Sequence, residues 1–369
     1  MCIVGARPNF MKIAPIMHAM RTQGSALDAV LVHTGQHYDA SMKHVFFDQL
    51  GIPVPDIDLE VGSGTHAVQT AEIMRRFEPV LDEKKPAVVL VVGDVNSTIA
   101  CALVAVKKGI PVVHVEAGLR SYDRAMPEEI NRVLTDQISD LHFLTEKSAT
   151  QNLLREGISE KGIHFVGNVM IDTLMSNMEK ATPVQKISGI KPELVSHKNG
   201  YAVLTLHRPS NVDDPVVLER LLKSIHSISE ILPVIFPVHP RTTAKAKEAG
   251  LEKWLKSGNI LQLPPLPYLD MLGLNSKARL VLTDSGGLQE ETTAMGVPCI
   301  TLRENTERPI TAEEGTNTVV GTDPVKIRAV FEEIMNTGGK SGRVPELWDG
   351  KAAQRITAIL EKWLHTRQQ

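Results

Sequence analysis

The sequence predicts an α/β fold of two Rossmann-like domains facing a cleft. Three observations carry this. Apolar β-rich runs alternate with helical patterns along a chain of 369 residues. The runs are continuously apolar, as expected of strands buried on both faces of a parallel sheet. The alternation breaks once, in a polar stretch over 175–199 that contains Pro183, Gly189 and Pro192, and then resumes. A chain of this length exceeds one ordinary core. Strand–helix alternation with short connections implies right-handed βαβ units and doubly wound sheets. Ligands of such sheets lie beyond the carboxyl ends of the strands.

In the first half, strands are expected at Cys2–Val4, Ala29–His33, Ala87–Val92, Val112–Val115, Leu141–Leu144 and His164–Val166. Helices are expected at Met11–Thr22, Val68–Leu81, Ser97–Lys107 and Glu128–Gln137. A domain boundary is expected near Gly167–Thr173, giving domains over 1–169 and 170–352. The second series of strands runs Tyr201–Leu206, Val234–Val238, Ile260–Leu263, Leu280–Leu282 and Cys299–Leu302. A final helix covers about Ala352–Leu364 and suits packing on either domain.

Composition narrows the class. With 42% hydrophobic and 22% charged residues, the chain reads as a soluble globular enzyme. Its net charge of −3 gives no support to a nucleic-acid or anionic-membrane surface. Positive charge for an anionic ligand must therefore be local. Cys2, Cys101 and Cys299 are far apart and are expected to be free thiols of a cytoplasmic protein. No run approaches a membrane span. The first strand starts at once with no signal peptide before it, and its shortness leads us to expect a few residues missing at the start.

The informative motifs follow strands. Gly5-Ala6-Arg7-Pro8-Asn9-Phe10-Met11-Lys12 opens the first helix, where Arg7 and Lys12 offer charge to a phosphate. Gly62-Ser63-Gly64-Thr65-His66-Ala67 matches a dinucleotide fingerprint in form only. The residues before it make a poor central strand, so it reads as a loop leading into a capped helix. Gly93-Asp94-Val95-Asn96 puts Asp94 at the ligand edge, unless Asp94 or Asn96 simply caps the next helix.

Val112 to Arg120 is the strongest signal. Glu116 comes one residue past an apolar strand, Gly118 permits a sharp turn, and Arg120 is close enough to pair with Glu116. Glu128 and Glu129 follow Pro127 at a helix start, with Arg132 behind them. Grouped carboxylates suit general acid–base chemistry, since neighbouring acids push each other's pKa apart. Arginines among them suggest a phosphate.

In the second half, His207-Arg208-Pro209 ends the first strand and places His207 to meet a phosphate or shuttle a proton. His239-Pro240-Arg241 repeats the form after another strand. Thr283-Asp284-Ser285-Gly286-Gly287 opens a helix with the amides of Ser285, Gly286 and Gly287 available to a diphosphate. Glu290 or Glu291, one turn on, could accept hydrogen bonds from ribose hydroxyls. Arg308, in Thr306-Glu307-Arg308-Pro309, is a further cation suited to clamping a diphosphate. Nothing has metal-ligand spacing, and no metal or cofactor is expected.

These residues resemble a known family. Val113 to Arg120, Met126-Pro127-Glu128-Glu129-Ile130-Asn131-Arg132, Leu282 to Gly287 and Asn305 to Pro309 look like the non-hydrolysing UDP-N-acetylglucosamine 2-epimerases. The resemblance runs to about residue 321. It implies a glycosyltransferase-B type fold, UDP held mainly by the second domain, a helix over 353–369 returning to the first, and a homodimer. It implies elimination of UDP to 2-acetamidoglucal and re-addition, with the proton returning to the other face of C2. By resemblance, Asp94, Glu116 and Glu128 are the acid–base candidates and His207 assists at the diphosphate. Arg7, Lys12, Arg120, Arg132, Arg208, His239, Ser285, Gly286, Gly287, Glu291 and Arg308 are the candidates for UDP and substrate binding.

The chain departs from the family's usual form in two places. Gly5-Ala6-Arg7-Pro8-Asn9 replaces Gly-Thr-Arg-Pro-Glu, and His207-Arg208-Pro209-Ser210-Asn211 replaces His-Arg-Arg-Glu. Both variants resemble a branch that includes archaeal enzymes and epimerases of diacetamido-uronate sugars. Such a uronate epimerase is the alternative, and a UDP-sugar glycosyltransferase of the same fold, or a non-catalytic sensor, a remoter one. The activating-site pattern Gln-x-x-Gln of some bacterial members reads Gln36-His37-Tyr38-Asp39 here, so that regulation is not expected.

Overall fold

A computed structural model describes residues 1–22, 26–35, 51, 54–256 and 258–367, apart from the side chains of Arg7 and Thr22. The motif Gln36–Asp39 lies outside the described residues. The chain forms two compact units, Met1–Ser176 with Glu346–Gln369, and Asn177–Pro345.

In the first unit the strands are β1 (Cys2–Val4), β2 (Leu31–His33), β3 (Ile57–Asp58), β4 (Val89–Val92), β5 (Val112–Val115), β6 (Leu141–Leu144) and β7 (Ile163–Phe165). Among the described residues they make one parallel sheet in the order β3-β2-β1-β4-β5-β6-β7. The continuous apolar runs have the expected cause. Leu90 and Val92 pack with Phe10, Ile13 and Ile356 on one face, while Val89 and Val91 pack with Ile73, Phe77 and Cys101 on the other. The final helix, Ala352–Arg367, packs through Ile356 and Leu360 beside Ile13 of the helix Arg7–Thr22. Asp172 accepts from the Ala352 and Ala353 amides at that helix's start, at 3.1 and 2.7 Å.

The second unit holds β8 (Ala202–Thr205), β9 (Val234–Pro237), β10 (Ile260–Leu263), β11 (Leu280–Thr283), β12 (Cys299–Thr301) and β13 (Asn317–Val319). They are parallel in the order β10-β9-β8-β11-β12-β13. Its faces alternate likewise, Leu204, Leu280 and Leu282 on one side, Val203, Ile235 and Val281 on the other.

Both sheets reverse strand order beside their first strand, between β1 and β4 and between β8 and β11. These are the switch points beyond which open α/β sheets take ligands. Two edge strands, β3 and β13, escaped the sequence reading, being short and only partly buried. The loop after β3 leads, as read, into the helix His66–Lys84, where Thr65 caps by accepting from the Val68 amide at 3.3 Å. Cys2, Cys101 and Cys299 are free and buried. No helix among the described residues is long and apolar enough to cross a membrane.

Candidate active site

In the first unit, the turns after β1, β4 and β5 carry the polar groups. Gly5 follows β1 because a side chain there would collide with Ser97, whose Oγ lies 2.0 Å from an added Cβ. Asn9 then ties two turns together: its Oδ1 accepts from the Ala6 amide at 3.0 Å and its Nδ2 donates to the Val92 carbonyl at 2.8 Å. One turn further along the helix, Lys12 reaches Glu116, with Nζ 2.8 Å from Oε1 and 2.7 Å from Oε2. Their side chains are 7% and 1% exposed, so this is a buried ion pair. The pairing expected for Glu116 is thus corrected. Lys12 meets it, whereas Arg120 turns to Asp136 at 2.7 Å and grips Glu156 through two bonds of 2.8 and 2.6 Å.

Glu116 itself sits at φ 72°, a left-handed conformation that a residue with a side chain rarely adopts. Gly118, at φ 78°, completes the turn. Gly93 lies under the ion pair, where an added Cβ would come within 2.8 Å of Lys12 Nζ.

Asp94 leaves the end of β4 and takes a salt bridge of 2.5 Å from Arg132. Neither Asp94 nor Asn96 caps the next helix, as one alternative had it. Val95 holds the cap position without a side-chain bond. The Asn131 amide donates to the Asp94 carbonyl at 2.9 Å.

The paired acids of the helix Pro127–Ile138 divide. Glu129 is buried, pairs with Arg132 at 2.7 Å and accepts from the amides of Ser121 and Tyr122. Glu128 is half-buried, and its side chain makes no hydrogen bond or ion pair among the described residues.

Beneath the Glu116 turn lies a group that the motif reading missed, Asp136. It meets His114 Nδ1 at 2.6 Å and accepts from the Gly118 amide at 3.0 Å. Burial pushes its pKa up, but His114, Arg120 and His142 outweigh this and hold it below the usual carboxylate range. Its only sequence signal was an acid placed nine residues after Pro127, inside an amphipathic helix.

In the second unit, His207 and Arg208 follow β8 and Asp284 follows β11. The buried Asp284 accepts from the His207 and Arg208 amides at 2.9 and 2.8 Å and lies 3.0 Å from His207 Nδ1. Burial raises its pKa, and the His207 ring with these two amides more than reverses that. The His207 side chain remains 38% exposed. His239 stacks near it, ring centroids 5.7 Å apart, and caps the helix Pro240–Glu248 by accepting from the Arg241 amide. Burial first, then His207 and Arg241, hold His239 below its ordinary pKa.

Ser285 precedes the helix Gly286–Met295. Its amide is not available as expected, because it donates to Thr283 Oγ1 at 2.9 Å. The Gly286 and Gly287 amides begin the helix, where no carbonyl one turn back can take them. Gly286 abuts Glu307, whose Oε1 lies 2.7 Å from an added Cβ. Glu307 pairs with Arg303 at 2.8 Å and stands 3.9 Å from Arg208. Arg308 is buried against Glu290 at 2.9 Å. Glu291 neighbours Tyr268, whose phenol is pushed up by burial and by that carboxylate.

The fold and the two groups of polar residues define a class: a glycosyltransferase-B type α/β protein with acids beyond one sheet and an anion-suited helix start beyond the other. Residues 19–361 match the UDP-N-acetylglucosamine 2-epimerase family. The chain belongs to this family. It is 45% identical over 362 residues to a UDP-N-acetylglucosamine 2-epimerase of Methanocaldococcus jannaschii, covering 97% of each. It is 41% identical over 364 residues to the UDP-2,3-diacetamido-2,3-dideoxy-D-glucuronate 2-epimerase of Pseudomonas aeruginosa, covering 98% of each. The crystal structure of the Methanocaldococcus jannaschii UDP-GlcNAc 2-epimerase in complex with UDP-GlcNAc and UDP matches with a TM-score of 0.87 and 44% identity, over 98% of this chain and 99% of that one.

Proposed function

We propose that the protein is a non-hydrolysing UDP-GlcNAc 2-epimerase that interconverts UDP-GlcNAc and UDP-ManNAc. The observation that carries this is full-length similarity to a relative of that name, joined to acids grouped beyond the first sheet. The C2 hydrogen of the sugar is not acidic enough for simple deprotonation. Elimination avoids that barrier: a base takes the C2 proton, the C1–O bond breaks and UDP leaves, giving 2-acetamidoglucal. UDP then adds back at C1 while an acid delivers a proton to the opposite face of C2. The cycle needs a base, an acid and a stabilised diphosphate.

Asp94, Glu116 and Glu128 are our acid–base candidates, supported by their positions after β4, after β5 and at a helix start. His207, oriented by Asp284, serves the diphosphate. Lys12, Ser285, Gly286, Gly287 and Glu291, with Arg7, Arg208 and His239, are the proposed UDP and substrate contacts. Arg120, Arg132 and Arg308 belong to the same proposal as cations of the site. Their guanidiniums are also the partners of Asp136 and Glu156, of Asp94 and Glu129, and of Glu290. We further assign a cytoplasmic homodimer, on the resemblance and on the free cysteines.

Proton NMR with UDP-GlcNAc in D2O tests the reading. UDP-ManNAc carrying deuterium at C2 is the expected product. Turnover of the diacetamido-uronate sugar alone would favour the second reading, which the Pseudomonas aeruginosa relative supports.

A further inference from the structure

The Glu116 turn combines strain with fixity. A side-chain-bearing residue at φ 72° costs about 1–3 kcal/mol and persists only where its surroundings over-determine it. Above the turn the Phe143 carbonyl accepts from the Glu116 and Ala117 amides at 3.0 and 3.1 Å. Asn152 donates to the Gly118 carbonyl at 2.9 Å. Below it, the wholly buried Asp136 gathers His114, the Gly118 amide and Arg120, from two residues before Glu116 to four after it. His114 continues the chain, with Nε2 2.8 Å from the Gly93 carbonyl. A carbonyl can only accept, so Nε2 carries a proton. Gly93 immediately precedes Asp94, and its amide donates back to the Val115 carbonyl at 3.0 Å.

We infer that Asp136 and His114 are positioning residues that lock the Glu116 turn against the Gly93–Asp94 turn and so set the spacing of the two acids. This rests on the roles proposed for Glu116 and Asp94. Both side chains are fully buried beneath these turns, so they act through other residues and not on the sugar.

Asp136→Asn keeps the shape but breaks the logic of the hub. An amide at this site loses the charge that faces Arg120: with its oxygen toward the Gly118 amide and Arg120 its NH2 needs His114 Nδ1 as an acceptor, and turned about it is set against those two donors. The test is steady-state epimerisation of UDP-GlcNAc, with UDP titration and thermal unfolding of the same sample. We expect kcat to fall about a hundredfold, the scale of a small misplacement of reacting groups, while the UDP dissociation constant stays within about threefold. Should Asp136→Asn not fold, His114→Gln carries the same expectation, since it keeps Asp136 bonded to Gly118 and Arg120.

A folded variant with wild-type kcat overturns the inference, as does equal loss of kcat and UDP binding. Failure of both variants to fold also overturns it, since the pair would then scaffold the whole sheet. Glu116→Gln separates the two levels. If that variant keeps its activity, the underlying assignment of Glu116 fails. If it is inactive while Asp136→Asn is fully active, only the positioning role fails.

Discussion

Lys12 and Glu116, 104 residues apart in the chain, form a buried ion pair of 2.7 Å directly over Gly93. A pair so enclosed is costly to break from one side, because the remaining charge is left desolvated. Lys12→Met should destabilise the protein by about 3 kcal/mol, the scale of an orphaned buried charge. Glu116→Gln in the same chain should recover much of that stability. Chemical denaturation of both single variants and the double variant checks this, and simple additivity would show that the two residues are not coupled.

The two neighbouring acids of the helix Pro127–Ile138 should respond in opposite ways. Glu129→Gln removes one of the two carboxylate charges that face Arg132 and sets an NH2 against one of the two loop amides, so we expect a loss of about 2 kcal/mol in unfolding free energy. Glu128→Gln should leave the melting temperature unchanged but lower kcat about a hundredfold, as loss of a general acid or base does. Equal effects on stability would remove the distinction.

Gly286→Ala should weaken UDP binding about tenfold, or 1.4 kcal/mol, in a calorimetric titration. The added methyl would stand 2.7 Å from Glu307, and Glu307 is held by Arg303. Ser285→Ala tests the neighbouring hydroxyl, which makes no capping bond. Unchanged affinity in both variants would rule out this helix start as the anion site.

Stability should fall in acid through Asp136 and Asp284. Each is held below its ordinary value of 3.8 in the folded protein. Between the native value and 3.8 the unfolded chain binds a proton that the native state does not, so stability rises with pH there. The contribution is complete above 3.8 and is lost as pH falls through the depressed native values. Urea unfolding of wild type and Asp284→Asn at neutral pH and near pH 3 should show a smaller acid loss in the variant. An identical loss in both would contradict the assignment.

How much of this was legible in the sequence varies by element. Val112–Val115 and Leu141–Leu144 were readable to the residue, because a strand buried on both faces leaves a short run of apolar residues, broken here only by His114 and His142. The edge strands Ile57–Asp58 and Asn317–Val319 were not, because one exposed side dilutes that signal. Glu116 and Asp94 were legible as acids at the carboxyl edge of the sheet, since chain direction alone puts the residue after a parallel strand there. Arg120 and the Ser285 amide were legible as polar groups, but their partners were not.

What the sequence determined by itself was local: an apolar run makes a buried strand, and the motif after it lies at the sheet's carboxyl edge. Tertiary structure alone decided which charges meet. The strand order β2-β1-β4-β5 brings Lys12 to Glu116, and β8 beside β11 brings Asp284 to His207, 77 residues away. Ion pairing depends on distance in space and on exclusion of water, and neither is a property of neighbouring positions along the chain.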